Sequence, residues 1–168
     1  MEQLATGYVV RAEIWLGVTT LLYFLMNGAQ VFETLVFVPK WTFSPPTHFN
    51  LLLDGRGTSL KLFWMVFHSL HEITFILAII FCWKMHEVRN WLLILFAIHF
   101  GVRVWTIAYF APQIIDFQKI AETPTLATKG LVNRMSLWQT LNYVRVAIFI
   151  AVSIGLLPLL AKVINLKQ

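Results

Sequence analysis

Four long apolar stretches constrain this chain more than any other feature of its sequence. A helix that spans a bilayer needs about 20 mostly apolar residues in succession, or more if it is tilted. Four stretches meet that requirement, at about residues 10–38, 60–83, 90–111 and 137–160. The sequence therefore predicts an all-α protein, a four-transmembrane-helix bundle that forms a single membrane domain over residues 1–168.

The composition agrees with lipid as the main solvent. Hydrophobic residues make up 58% of the 168 residues and charged residues 12%, whereas a soluble domain of this length needs more charge to cover its surface. The net charge of +5 is spread over loops and chain ends, so the chain lacks the basic face of a nucleic-acid-binding protein. The predicted partners are the lipid bilayer and a lipophilic small molecule, not a nucleic acid.

The predicted loops differ in length, and their lengths indicate how the chain is oriented in the bilayer. The loops at residues 41–59 and 113–135 are long, and the loop at residues 84–89 is short. The first long loop contains a D-G-R-G turn and follows Pro39, which ends the first span. Pro112 weakens the third span, which is expected to continue as an amphipathic helix through Ile120. An even number of spans places both chain ends and the short loop on one side. Basic residues are divided almost evenly between the two sides, so they indicate no direction. Because short hairpins with longer external loops are common, we predict a multi-pass protein with cytoplasmic termini.

Each predicted span carries polar residues that a lipid-facing helix should not contain. An ionisable side chain near the bilayer centre costs about 2.5–3.5 kcal/mol, so it usually faces the protein interior. Within each span these residues recur every three or four positions and share one helix face. They are Asn27, Gln30 and Glu33 in the first span, His68, His71 and Glu72 in the second, His99 and Arg103 in the third, and Trp138, Asn142 and Arg145 in the fourth.

One polar residue from each span lies at a similar predicted depth. At about 1.5 Å per residue, Glu33, His68, Arg103 and Arg145 lie roughly 10–14 Å below the interface on the long-loop side. Four helices that place polar groups at one level predict a shared polar pocket. The alternative is a structural role, in which hydrogen bonds and ion pairs such as Glu33–Arg103 or Glu72–Arg145 fix the helix register.

Acid–base chemistry on an apolar substrate is one reaction that such a pocket supports. Burial favours neutral histidine, which accepts a proton, while a carboxylate orients the ring and an arginine stabilises an oxyanion. The predicted catalytic set is His68 or His71 as base, Glu72 or Glu33 as orienting carboxylate, and Arg103 or Arg145 as anion-binding residue. The predicted substrate-binding set is Asn27, Gln30, Glu33, Trp64, His99, Trp138 and Asn142.

A bound metal ion or haem is a second chemistry for the same residues. Three imidazoles and two carboxylates are enough for iron, copper or zinc, but their spacing matches neither H-E-x-x-H nor the Glu-x-x-His motif of di-iron bundles. The cofactor stays unknown at this point, with none favoured over a metal. The metal ligands would be His68, His71, Glu72, His99 and Glu33, and an axial pair for haem would be His68 with His99.

Four motifs lie in order along the chain, one for each span. They are NGAQVFETLVFVPKW, LFWMVFHSL, TIAYFAPQIIDFQKI and NRMSLWQTLNYVRVAIF. Together they resemble the small four-span membrane family that includes the anthrone oxygenases. The resemblance covers nearly the whole chain, and its most specific part is the W-x3-N-x2-R frame of Trp138, Asn142 and Arg145. Pro112 and Asn133 match as structural landmarks, whereas the His71-Glu72 and His99-Arg103 pairs have no counterpart in the family pattern.

The resemblance implies an activity for this chain. Family members of known activity oxidise reduced polycyclic phenolics with molecular oxygen and no obvious cofactor, and most members have no assigned activity. The chain is therefore predicted to be a membrane-embedded oxidoreductase, an anthrone-oxygenase-like monooxygenase, acting on a lipophilic aromatic or quinone-like molecule. One alternative is a non-enzymatic protein, either a transporter built as a homo-oligomer or an assembly partner, whose polar cluster carries protons or fixes packing. The other is an intramembrane metal- or haem-binding protein.

Overall fold

The chain is helical wherever the structure gives it a regular fold. A computed structural model describes residues 6–53, 60–127 and 129–166, and within these ranges there is no strand. The α-helices are α1 (Thr6–Phe32), α2 (Val38–Thr42), α3 (Lys61–Phe81), α4 (His86–Trp105), α5 (Ala111–Glu122) and α6 (Leu131–Asn165). A π-helical segment joins α1 to α2 (Glu33–Phe37), and another joins α4 to α5 (Thr106–Phe110). The predicted all-α class is confirmed.

Four continuous helical stretches are long and apolar enough to cross a membrane. They are Thr6–Thr42, Lys61–Phe81, His86–Glu122 and Leu131–Asn165. These stretches match the four predicted spans and extend most of them, because the helices continue beyond the apolar residues on which the prediction was based. The chain is an integral, multi-pass membrane protein by this criterion, and the cytoplasmic side of its termini stays a prediction.

The segment predicted as a loop at residues 113–135 is largely helical. It contains most of α5, a 3₁₀ turn at Pro124–Leu126 and the first turn of α6. Pro112 does not end the helix, because the π-helical segment Thr106–Phe110 leads into α5 without a break. Phe117 and Ile120, three positions apart, form the buried face of α5. The helix expected beyond the third span is therefore α5, which extends to Glu122.

The other predicted long loop, at residues 41–59, also contains regular structure. Trp41 and Thr42 end α2, and a 3₁₀ helix covers Thr47–Leu52. Phe49 from this 3₁₀ helix is fully buried. Residues 54–59, with the predicted D-G-R-G turn, lie outside the described residues.

The chain forms two compact units. The first comprises residues 1–27, 64–100 and 148–168, and the second comprises residues 28–63 and 101–147. Each unit has its own polar group and its own core, and each is described by itself below. The prediction of one membrane domain stays a prediction.

Segments of α1, α3, α4 and α6 pack together in the first unit. The Thr19 hydroxyl, 2.8 Å from the Thr74 carbonyl oxygen, connects α1 to α3. Asn27 Nδ2 donates to Ser153 Oγ over 2.8 Å and connects α1 to α6. Inside a membrane such interhelical hydrogen bonds contribute about 0.6 kcal/mol on average, so they specify which helix faces meet more than they stabilise the packing.

An aromatic core organises the second unit. Trp41 lies 5.1 Å from Trp138 and 5.9 Å from Phe117, measured between ring centroids. Phe49 packs on Phe117 with ring centroids 5.0 Å apart. These contacts join α2, the 3₁₀ helix, α5 and α6, so the segments between the apolar stretches are packed rather than extended.

The only cysteine gives a direct reporter of unfolding. Cys82 follows the end of α3 and is fully buried, and burial raises the pKa of its thiol to about 12. Because the thiolate is the reactive form, we expect maleimide to label the folded protein slowly at pH 7 and still slowly at pH 9. Detergent-denatured protein should label rapidly at pH 9, since an exposed thiol has a pKa of about 8.5. Labelling of the folded protein that accelerates between these pH values like a free thiol would contradict the burial.

The close approach of α6 to α4 at Gly155 predicts a stability effect. A Cβ at this position would lie 3.0 Å from Leu95 Cδ2. Gly155→Leu should therefore lower the free energy of unfolding by about 1–3 kcal/mol through overpacking, measured as the denaturant midpoint at which Cys82 becomes reactive. Gly101→Leu is the control, because a Cβ there would meet no described atom within 4 Å. Equal midpoints for the two variants would show that the contact is unimportant.

Candidate functional site

A chain of three polar side chains crosses the first unit. The Tyr23 hydroxyl is 2.9 Å from His99 Nδ1, and His99 Nε2 is 3.5 Å from Glu72 Oε2. We assign the hydroxyl as the donor to Nδ1, because Nε2 then carries the proton that faces the carboxylate. The Tyr23–His99 hydrogen bond and the His99–Glu72 contact therefore connect α1, α4 and α3 through one imidazole.

Aromatic rings enclose the buried part of this chain. Tyr23 and His99 are both fully buried. The His71 ring lies 4.1 Å from the Tyr23 ring and 4.9 Å from the His99 ring, edge-on in both cases. Phe75 and Phe149 pack on His99 with centroids 5.9 and 5.7 Å away. In such a low-dielectric setting a hydrogen bond is electrostatically stronger than in water, and its loss costs more.

Glu72 is the accessible end of the chain. Its side chain is 26% exposed, whereas that of His99 is 0% exposed. Trp64 and His68 precede Glu72 on α3 by two turns and one turn, so the three residues share one helix face. The Trp64 and His68 rings are stacked, with centroids 5.3 Å apart and planes at 25°. A stacked pair of rings, which we call the α3 aromatic face (Trp64 and His68), therefore precedes the carboxylate on α3.

The predicted residues of the second unit gather around Arg145. Arg145 Nη2 donates to Asn142 Oδ1 over 2.6 Å, and Asn142 Nδ2 donates to Thr34 Oγ1 over 3.1 Å. The guanidinium carbon lies 4.4 Å from the centre of the Phe110 ring. Trp138 packs edge-on against the same ring, with centroids 5.7 Å apart. The W-x3-N-x2-R frame thus forms one contact group with Phe110 and Thr34, which we call the Arg145 group.

Two further charged residues act on the Arg145 group. Glu33 attracts the Arg145 guanidinium, and Arg103 repels it. Gln30, the remaining predicted residue of the second unit, is 3% exposed. Its Oε1 has no hydrogen-bond partner within the described parts of the chain.

The predicted residues therefore fall into two groups, one in each unit. Those in the first unit are Asn27, Trp64, His68, His71, Glu72 and His99, and those in the second unit are Gln30, Glu33, Arg103, Trp138, Asn142 and Arg145. Asn27 is committed to Ser153 and to the Phe149 carbonyl, which favours a structural role over substrate binding. Glu72 contacts His99 Nε2 through its carboxylate.

The predicted metal ligands do not form a recognisable metal site. Among residues 6–53, 60–127 and 129–166 there is no group of three His, Cys, Asp or Glu side chains placed to hold a metal ion. His71, His99 and Glu72 are neighbours, but His71 presents its ring edge-on to the other imidazole. The haem alternative stays a prediction.

Sequence reasoning missed Tyr23, the buried end of the polar chain. Tyr23 lies in the apolar run LLYFLMN, where an aromatic residue is most often a packing residue. A usable signal was present, because Tyr23 precedes Asn27 by four positions and Gln30 by seven, which places all three on one helix face. Thr34 extends the same series and was missed for the same reason.

Comparison with known proteins identifies no relative of this chain. No protein-family model matches it, and neither the curated proteins nor the solved structures give a match. The resemblance to the family of the anthrone oxygenases therefore stays a prediction that depends on the four sequence motifs.

The buried Tyr23–His99 hydrogen bond predicts a loss of stability on removal of one hydroxyl group. Tyr23→Phe keeps the ring and leaves His99 Nδ1 without its donor, which should lower the free energy of unfolding by about 0.6–1.7 kcal/mol, as for other interhelical hydrogen bonds inside a membrane. The matched control is Tyr143→Phe, because Tyr143 is 44% exposed. The stability of both variants is measured as the denaturant concentration at which Cys82 becomes half labelled. A Tyr23→Phe midpoint as high as that of the control would contradict the hydrogen bond.

Proposed function

We propose that this chain is a membrane-embedded oxidoreductase that removes a proton from a lipophilic aromatic or quinone-like molecule at Glu72. The observation that carries the proposal is the chain from buried Tyr23 through His99 to partly exposed Glu72. Ionisable residues inside a membrane are functional candidates by default. Here they form a linear series with one accessible end, which is what acid–base chemistry requires.

The accessible carboxylate acts as the base, and the imidazole behind it orients the carboxylate. Glu72 accepts the substrate proton and becomes a neutral carboxylic acid, while the Nε2–H of neutral His99 faces the carboxylate. Protonation of Glu72 removes a charge from a low-dielectric setting. Tyr23 holds His99 in the tautomer that directs Nε2 at Glu72. These roles reverse the predicted ones, in which a histidine was the base and the glutamate oriented it.

The α3 aromatic face suits a flat, apolar substrate. Stacking on an aromatic ring contributes about 0.5–1.5 kcal/mol beyond burial of area. A polycyclic molecule stacked along Trp64 and His68 extends towards Glu72, one turn further along α3. Trp64 and Glu72 are both partly exposed, and a molecule of this kind concentrates in the surrounding lipid.

Molecular oxygen is the oxidant that the family resemblance implies. An anthrone-type substrate is a ketone with a ring CH₂ group opposite the carbonyl, and loss of one proton from that group gives a phenolate. The phenolate reduces oxygen; one oxygen atom becomes the new quinone carbonyl, and the other leaves as water with the two hydrogens of the CH₂ group. The balance is one substrate and one O₂ to one quinone and one water, with no further electron donor.

The proposal predicts oxygen-dependent turnover that requires Glu72. Wild-type protein in liposomes should consume oxygen and form quinone when supplied with anthrone. Glu72→Gln should lower the rate about 10²–10⁴-fold, since it removes the base, and His99→Gln should lower it as well. Oxygen uptake and quinone absorbance, measured against empty liposomes, test this.

A matched control separates loss of the base from loss of charge. Glu87→Gln removes another carboxylate of the first unit, one that is 67% exposed and paired with Lys162, and it should leave turnover unchanged. The second candidate function is a non-enzymatic one, in which the polar chain only fixes helix packing; the complete burial of Tyr23 and His99 favours it. No turnover by wild-type protein with anthrone or a quinol, together with a lower Cys82 labelling midpoint in Glu72→Gln, would select that candidate.

A further inference from the structure

Two side chains on α6 pack against the same ring, and each has a buried N–H donor without an acceptor among the described residues. Trp138 is 4% exposed, and neither its Nε1 nor Arg145 Nε has a hydrogen-bond partner among the described residues. Both side chains lie within 6 Å of the centre of the Phe110 ring. They are seven positions apart and therefore share one face of α6. Because an unmet buried donor is costly, the pair points to an acceptor that is not part of the described chain.

The two π-helical segments complete the surroundings of these donors. The Val38 N–H bonds to the Glu33 carbonyl and the Ala111 N–H bonds to the Thr106 carbonyl, each five residues back. A proline follows each segment after one residue (Pro39 and Pro112) and cannot donate to the carbonyl four positions earlier, so the hydrogen-bond ladder shifts.

Each π-helical segment supplies one neighbour of the Arg145 group. Thr34 of the first segment accepts from Asn142, and Phe110 of the second lies against Arg145. Single π turns inside α-helices are frequent at functional sites. The two π-helical segments are an observation independent of the unmet donors, and they too indicate a functional site at the Arg145 group.

Arg145 is the cation of the Arg145 group. Glu33 attracts it and Arg103 repels it. Asn142 accepts a hydrogen bond from Arg145 Nη2 and donates one to Thr34, so the group itself contributes no anion to Arg145. A cation inside a membrane usually pairs with an opposite charge, which favours an anionic ligand.

We infer that the second unit binds a singly charged oxyanion on an apolar tail, the carboxylate or phosphodiester of an anionic amphiphile. One ligand oxygen accepts from Arg145 Nε, and another accepts from Trp138 Nε1. Hydrogen bonds from a guanidinium to an oxyanion are among the stronger ones in proteins, and Phe110 keeps water away from them. This anion site is separate from the proposed oxidoreductase function and shares no residue with it. An experiment can therefore disprove the anion site without disproving the proposed function, and the reverse.

Binding by the full chain in neutral detergent, titrated by native mass spectrometry, tests this inference. The probes are oleate and phosphatidylglycerol, each compared with its neutral counterpart, methyl oleate and phosphatidylcholine. At least one anionic probe should bind wild-type protein about tenfold or more tightly than its counterpart, and Arg145→Gln should weaken that probe by about ten- to a hundredfold. Trp138→Phe, which keeps an aromatic ring and removes only the N–H, should weaken it by about three- to tenfold.

The control is Arg11→Gln, because Arg11 is an exposed guanidinium on α1 and its removal should leave binding unchanged. Preference for oleate assigns a free carboxylate as the ligand, preference for phosphatidylglycerol assigns a phospholipid, and binding of both assigns their shared chemistry. Equal affinity of wild type and Arg145→Gln, or an equal loss in Arg11→Gln, overturns the inference. If Cys82 labelling shows Arg145→Gln to be unfolded, Trp138→Phe decides: unchanged affinity overturns the site, and a selective loss supports it.

Discussion

The lack of water in a bilayer is the constraint on which the rest of this structure depends. A polar side chain on a membrane-spanning helix cannot hydrogen-bond to solvent, so it must find a partner inside the protein. Several polar residues of this chain meet the requirement by connecting one helix to another. Thr19 bonds to α3, Asn27 to α6 and Tyr23 to His99 of α4. The same requirement that fixes which faces meet also brings acid–base groups within reach of each other.

The sequence predicts the helices well because the length of an apolar stretch is a local property of the sequence. Which side chains meet across two helices is not a local property. Periodicity placed His71, Glu72 and His99 on particular helix faces, yet it could not indicate that Glu72 meets His99. Pairing depends on how the helices are arranged, which no single segment encodes. The role of Tyr23 was hidden for a related reason, because its ring fits an apolar run and its hydroxyl matters only once His99 lies opposite.

Local backbone irregularity was a second limit on prediction. Pro39 and Pro112 were interpreted as ends or weak points of spans, but each helix continues through its proline by way of a π-helical segment. The extra residue in each turn rotates the side chains that follow, so a count at α-helical pitch does not hold across Glu33–Phe37. Position counts served better on α6, where Trp138, Asn142 and Arg145 lie on one uninterrupted helix and do share a face.

The two polar groups differ in a way that indicates different chemistry. The chain from Tyr23 to Glu72 is held by hydrogen-bonding groups that can each give or take a proton, and it ends at a partly exposed carboxylate. The Arg145 group contains a permanent cation and donors, and its hydrogen bonds run in one direction from Arg145 through Asn142 to Thr34. A guanidinium stays charged under physiological conditions and so does not act as a base. Proton transfer is therefore the natural task of the first group, and binding of an anion is that of the second.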